Sequence, residues 1–341
     1  MRLKRKNTGY LPGHVISLVR GGADYFAMLA TVIDNAQHYI HLQVYIFDED
    51  ETGQQVAGWL ISAAKRGVKV YVLVDGYASQ QLSSSFITKL RDAGVYFKFF
   101  EPLLRSSNFY FGRRLHHKIL VADGIHGLVA GLNISNRYND IDGTSAWLDW
   151  ALYIHGQAAF ALEHVCMKRL RRRSVKITPL TAWPEPVAMP DAFINCPLRI
   201  RENDFLGRKR QVYNSYLEMF KTAQREIIIM SPYFLPGYAF RKRMRLATRR
   251  GVKIKLILAG TSDIPISKLA ERFVYRWLFK HHIHIYEYQP NVLHGKVAVC
   301  DNAWVTLGSY NVNNLSAYAS IECNADVSEV KFATHMAHTL S

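Results

Sequence analysis

Short runs of apolar and β-branched residues recur in the same order in the two halves of this chain. NAQHYIHLQVYIF (35 to 47) parallels TAQREIIIMSPYF (222 to 234), and AAKRGVKVYVLVDG (63 to 76) parallels ATRRGVKIKLILAG (247 to 260). LRDAGVYFKFFEP (90 to 102) parallels LFKHHIHIYEYQP (278 to 290). Each basic stretch before the glycine reads as a helix end with a Gly stop, and each run after it as a buried strand. Strand, helix, strand, helix, strand is thus written twice. Each series ends in two apolar runs: ILVAD and GLVAG in the first half, VAVCD and AWVTLG in the second. The intervening Asp123-Gly124 and Asp301-Asn302 are turn pairs, so each series closes with a hairpin. The prediction is an α/β fold of two pseudo-symmetric α/β/α sandwich halves, with parallel-rich sheets meeting face to face and a site at their interface.

Between the halves lies a stretch with Pro179, Pro184, Pro186, Pro190 and Pro197, preceded by KRLRRR (168 to 173). It reads as a linker, and the expected boundary falls between residues 178 and 179, giving halves 1 to 178 and 179 to 341. The Arg run suits either a solvated helix end or contact with an anionic partner. The halves differ most before their hairpins. Residues 103 to 115, LLRSSNFYFGRRL, have no counterpart in the second half. Phe109, Tyr110 and Phe111 beside Arg105, Arg113 and Arg114 suit a membrane-interface segment; the alternative is a lid packed on its own domain.

With 341 residues and 49% apolar composition, the chain can bury a large core. Its four cysteines lack CxxC spacing, which points to a reducing compartment rather than a disulfide framework. No run approaches the apolar length of a membrane span, and the basic start is not followed by a signal-type apolar region. The net charge of +16 calls for an anionic partner: nucleic acid, an anionic membrane or a phosphate ester.

Chemistry concentrates at the two hairpins. His116, Lys118, Asp123 and Asn133 recur as His294, Lys296, Asp301 and Asn311, at identical spacing. In a strand, alternate side chains share a face, so each His points with its Lys while His117 points away. Each Asp sits where a turn carboxylate accepts backbone amides, and each Asn returns on the second strand towards its His and Lys. Two such sets together form a phosphate site that requires no metal. Ammonium and amide groups hold the nonbridging oxygens, one imidazole attacks phosphorus, and the other protonates the leaving oxygen. His281, His282 and His284 read as part of one alternating strand, in which Ile283 and Ile285 take the buried face, rather than as a metal site.

These paired motifs resemble those of the phospholipase D superfamily over both halves. VLVDGYAS, the segment YFLPGYAFRKRMRLATRRGVKIKLILAG and LHGKVA are similar to bacterial cardiolipin synthases, particularly the short type without N-terminal membrane spans. The resemblance implies a phosphatidyltransferase that joins two phosphatidylglycerols and releases glycerol through a phosphohistidine, with no cofactor or obligate protein partner. It implies a catalytic set of His116, Lys118, Asp123, His294, Lys296 and Asp301, with His116 as nucleophile and His294 as general acid. Asn133, Asn311 and Ser309 would bind the substrate phosphate, and Asp149 and Glu322 would orient the histidines. Action at the cytoplasmic face of the bacterial membrane, as a peripheral protein, follows from the same likeness. Hydrolysis of phospholipid or nucleic acid by the same motif pair is the alternative. The first half has Ala130-Gly131 where the second has Gly308-Ser309, a departure from the Gly-Gly or Gly-Ser that often precedes this Asn in the superfamily.

Overall fold

The computed structural model describes residues 9–101, 113–170, 186–187 and 191–341. The aromatic trio 109 to 111, Arg105, the 171 to 173 arginines and the expected boundary at 178/179 lie outside the described residues.

The first half runs β1 (Leu11–Arg20), α1 (Ala23–Asn35), β2 (Tyr39–Val44), α2 (Glu51–Lys65), β3 (Lys69–Asp75), α3 (Ser84–Asp92), β4 (Tyr96–Phe100), β5 (Arg114–Leu115), β6 (Lys118–Ala122), β7 (His126–Ala130), β8 (Trp150–His155) and α4 (Gln157–Leu170). The second runs β9 (Ala192–Asp204), β10 (Lys209–Arg210), α5 (Gln211–Thr222), β11 (Glu226–Ser231), α6 (Tyr238–Arg249), β12 (Lys253–Ala259), α7 (Pro265–Lys280), β13 (His284–Tyr288), β14 (Val297–Cys300), β15 (Trp304–Gly308), α8 (Asn314–Tyr318), β16 (Ser320–Val327) and α9 (Val330–Thr339). The predicted strands and hairpins fall where the apolar runs placed them. His281 and His282 are the exception, because they cap and leave α7 and the strand begins only at His284. His282 takes a positive φ there, the geometry of a turn.

The duplication is visible in the sheet. Its order, β13-β12-β11-β14-β15-β16-β9-β1-β8-β7-β6-β2-β3-β4, reads the same from either end once halves are exchanged. The two half-sheets are therefore joined edge to edge through antiparallel β1 and β9. Within each half the parallel pairs are β2-β3-β4 and β11-β12-β13 and the central strands are antiparallel, while short β5 pairs in parallel with β16 across the halves.

Strand alternation sorts the core into layers. Leu120, Ala122, Leu128 and Ala130 face the layer of α1 and α2, whereas Ile119, Val121, Val129 and Leu152 face inward. In the second half, Ala298 and Cys300 face α5 and α6 while Val297, Val299, Val305 and Leu307 face inward. The inward residues of both halves form one cluster, completed by Leu162 and Cys166 of α4 and Phe332 and Met336 of α9. The continuous sheet thus folds over so that its halves also meet face to face. All four cysteines are buried and unpaired. Among the described residues, no helix is long and apolar enough to cross a membrane.

The first-half and second-half segments are also tied by ions. Arg169 at the end of α4 pairs with Glu202 and Asp204 of β9, and Arg113 bridges Asp204 to Glu101. The Arg113 guanidinium is thereby held between one carboxylate of each half. Arg114 lies against Asp75 at 3.7 Å and over the ring of Tyr77.

Candidate active site

Both hairpin turns have positive φ at their two central residues, Asp123 and Gly124, then Asp301 and Asn302. That is the type I′ geometry which matches strand twist and fixes register. The aspartates do more than turn the chain. Asp123 accepts the backbone N–H groups of Gln37, His38 and Tyr39 at 2.8, 2.9 and 2.9 Å, and Asp301 accepts those of Gln224, Arg225 and Glu226 at 2.8, 2.8 and 2.9 Å. Each carboxylate clamps the start of the neighbouring parallel strand. The aspartates lie at the far ends of β6 and β14 from the His and Lys, about 17 Å along the strand from each Lys at ~3.4 Å per residue. These bonds hold each hairpin to the sheet, and no hydrogen bond links either aspartate to a motif His or Lys among the described residues.

The other residues converge, and they do so across the halves. His116 Nδ1 is 2.9 Å from Glu322 Oε2, and His294 Nδ1 is 2.6 Å from Asp149 Oδ2. Each histidine is oriented by the carboxylate of the opposite repeat. The backbone follows the same exchange, because the N–H of His116 donates to the carbonyl of Ile321 at 2.9 Å and that of His294 to Leu148 at 2.8 Å. Lys118 donates to the carbonyl of His116, and Lys296 to that of His294 while approaching Asp149 at 3.8 Å. Both lysines are buried. His117, as alternation requires, turns away and hydrogen-bonds Gln43 at 2.8 Å.

Electrostatics set the protonation states. Burial, with neighbouring Lys296, pulls Lys118 down to about 7. Burial also pulls Lys296 down to about 8, although Asp149 and Glu322 oppose the shift. Burial followed by Lys296 lowers His294 to about 3, against the pull of Asp149, and burial followed by Lys118 lowers His116 against Glu322. Burial alone would raise Asp149, but Lys296 and His294 outweigh it and hold the carboxylate below its usual range. An ionised Asp149 accepts, so His294 Nδ1 carries the proton and Nε2 presents its lone pair. A lysine with a lowered pKa loses its charge as pH rises through that value. We therefore expect kcat/KM for a phosphodiester to fall on the alkaline side with a midpoint between about 7 and 8, and to show no loss between pH 7 and 6. A pH profile flat to pH 9.5 is the opposing result.

Two of the three predicted phosphate ligands are otherwise engaged. Ser309 donates to Glu322 Oε2 at 2.5 Å and supports that carboxylate rather than a substrate. Asn133 accepts from Ile46 N and donates through Nδ2 to the Tyr138 hydroxyl at 2.9 Å. Tyr138 Oη in turn lies 3.5 Å from His294 Nε2, so this asparagine acts on the site through a tyrosine. Asn311 is buried, its backbone N–H donating to Ser316 Oγ, and its amide oxygen finds no partner among the described residues.

Tyr138 and Ser316 were missed in the sequence, yet both lie five residues after the motif Asn. Ser316 donates to Glu322 Oε1 at 2.6 Å, so that with Ser309 and His116 three hydrogen bonds hold the carboxylate. The first half solves the same problem with less space. A Cβ on Gly131 would lie 2.3 Å from Asp149 Oδ1, so the glycine lets the shorter carboxylate reach His294. The close approach is made by residue 131, to a carboxylate, and Ala130 is simply core. Tyr45 packs on His116 with ring centroids 4.8 Å apart, and Tyr138 on His294 at 5.0 Å.

Known proteins place this arrangement. The family model described as "Cardiolipin synthase, PLD-like domain" matches residues 29–151 and 216–341, one segment in each half. The chain belongs to this PLD-like cardiolipin synthase family. Within the family it is 35% identical to cardiolipin synthase B of Shigella flexneri, over 94% of this chain and 78% of that protein. It is 32% identical to a Geobacillus cardiolipin synthase, over 90% of this chain and 62% of that protein. Phosphatidylserine synthase of Haemophilus influenzae shares the fold, with a TM-score of 0.75 at 16% identity, over 94% of this chain and 85% of that structure.

Proposed function

We propose that this member of the family transfers a phosphatidyl group between two phosphatidylglycerols, making cardiolipin and glycerol at the cytoplasmic face of the bacterial membrane, to which it binds peripherally. The carrying observation is the crossed histidine–carboxylate geometry around two buried lysines. It supplies two imidazoles with oriented Nε2 atoms and a cationic pocket for one phosphodiester.

The steps follow from those groups. His116 Nε2 attacks phosphorus: an N–P bond forms, the P–O bond to glycerol breaks, and His294 delivers a proton to the departing oxygen. A primary hydroxyl of the second phosphatidylglycerol then attacks phosphorus, giving its proton to His294 as the N–P bond breaks. Lys118 and Lys296 balance the charge gathered on the nonbridging oxygens. The incoming phosphodiester anion favours protonation of His294, which burial and Lys296 disfavour in the empty site. The assignment of His116 as nucleophile draws support from the hydroxyl of Tyr138 beside His294 Nε2; among the described residues, no side chain engages His116 Nε2.

Incubation with phosphatidylglycerol vesicles, with products resolved by mass, tests the reading. Cardiolipin and glycerol in equal amounts are expected. Phosphatidic acid as the main product would favour hydrolysis, and no lipid product alongside cleavage of DNA would replace the reading with a nuclease.

A further inference from the structure

The catalytic end of the second half carries apolar residues on its surface. β14 starts beside His294 and Lys296, so its antiparallel neighbours β11 and β15, and β12 parallel to β11, finish at the catalytic end. β16 starts beside Glu322, so antiparallel β9 finishes there too. The connections leaving these strands expose Phe205 and Leu206 after β9, Tyr238 (74%) after β11, Ile266 (77%) after β12 and Leu315 (69%) after β15. Four separate connections thus present large apolar side chains around one site. Basic side chains accompany them: Arg208 is exposed in the tip that carries Phe205 and Leu206, and Lys242 is exposed one helical turn below Tyr238.

The matching connections of the first half carry an excess of acids, with Arg137 paired to Asp48. Asp48, Glu49 and Asp50 follow β2, and Asp140 and Asp142 follow β7. An anionic surface therefore attracts one side of the catalytic end and repels the other.

We propose that this second-half rim, with Phe205, Leu206, Tyr238, Ile266 and Leu315 entering the headgroup layer of an anionic bilayer, is the docking surface. The proposal rests on the phosphatidyltransferase reading and adds where and how the protein meets its substrate. Apolar side chains around the opening gain by leaving water, and arginine and lysine alongside them gain from headgroup phosphates. The acidic loops of the first half tilt away, so the molecule docks on one half and not symmetrically across both.

The test is co-sedimentation of the full chain with phosphatidylcholine vesicles, with and without phosphatidylglycerol, alongside turnover of a short-chain, monomeric phosphatidylglycerol. The variant Phe205→Ser/Tyr238→Ser/Ile266→Ser changes only exposed side chains. A control, Ile194→Ser/Val330→Ser, changes exposed residues at the opposite end of the sheet. The rim variant should lose at least about tenfold in affinity for the anionic vesicles and keep turnover of the monomeric lipid, while the control keeps both. Equal binding by parent and rim variant overturns the proposal, as does equal loss in the control or a parent that binds neither vesicle. A parent that dimerises through the rim in sedimentation equilibrium, with vesicle binding unaffected by the substitutions, overturns it in favour of a second copy. Failure of the parent to turn over the monomeric lipid sinks the phosphatidyltransferase reading separately.

Discussion

Replacing His116 or His294 with Ala should each reduce phosphatidyl transfer by on the order of 10⁴ or more, with the fold intact. Neither residue duplicates the other, because one forms the bond to phosphorus and the other carries the proton. General acid–base assistance alone is typically worth about 10² to 10⁴, and loss of the nucleophile removes the route itself. The double variant should be little worse than either single one, as expected for residues acting as a unit. Circular dichroism and thermal unfolding check the fold, and steady-state transfer checks the rate. Both side chains are largely enclosed, with 16% of His116 and 7% of His294 accessible, so thermal unfolding is measured beside the rate to separate lost stability from lost chemistry. A single variant that keeps a tenth of the parent rate would contradict the division of labour.

Asp149→Asn and Glu322→Gln should come next in effect, with kcat down by about 10² to 10⁴ and KM little changed. Each substitution keeps the shape but removes the charge that fixes the proton on Nδ1, so the imidazole samples the wrong tautomer. Glu322→Gln also meets Ser309 and Ser316, two hydroxyls that now donate to the carboxylate and would have to reorient against an amide nitrogen. The crossed pairing makes a sharper statement. Asp149→Asn should impair the step that depends on His294, proton delivery, although the two residues belong to different repeats. A substrate with a good leaving group, such as a p-nitrophenyl phosphodiester, needs little proton delivery. Asp149→Asn should therefore lose much less on that substrate than on phosphatidylglycerol, and Glu322→Gln should lose on both. Equal losses for the two variants on both substrates would contradict the crossed roles.

The repeat was legible because strand alternation, Gly stops and turn pairs are local signals, and they recur in both halves at equal spacing. The hairpins, the parallel triplets and the position of His117 follow from them. The join through β1 and β9 was not legible. Antiparallel pairing between Val15–Arg20 and β8, and between Leu11–Ser17 and β9, is a non-local choice that no spacing announces. The crossing of the histidine–carboxylate pairs is hidden for the same reason, since sequence order suggests that each motif uses its own downstream acid. Asp123 and Asp301 travel with the motif at fixed spacing, which makes them look catalytic, while their amide bonds show that the spacing is set by the hairpin. Ser309 and Asn133 lie near the site as expected, but their hydrogen bonds go to Glu322 and Tyr138. Which neighbour satisfies a buried polar group depends on packing, and a sequence does not rank those neighbours.

The central claim is that His116, held by a carboxylate from the other repeat, forms the covalent bond to phosphorus. Quenching of the His294→Asn variant with a short-chain phosphatidyl p-nitrophenol, whose leaving group needs little proton delivery, at neutral pH, followed by peptide mass mapping, tests it directly. A phosphatidyl adduct on His116, lost when Glu322→Gln is added, is the predicted result. An adduct on His294 of the corresponding His116→Asn protein with none on His116, or full turnover with no adduct on either histidine, would contradict it.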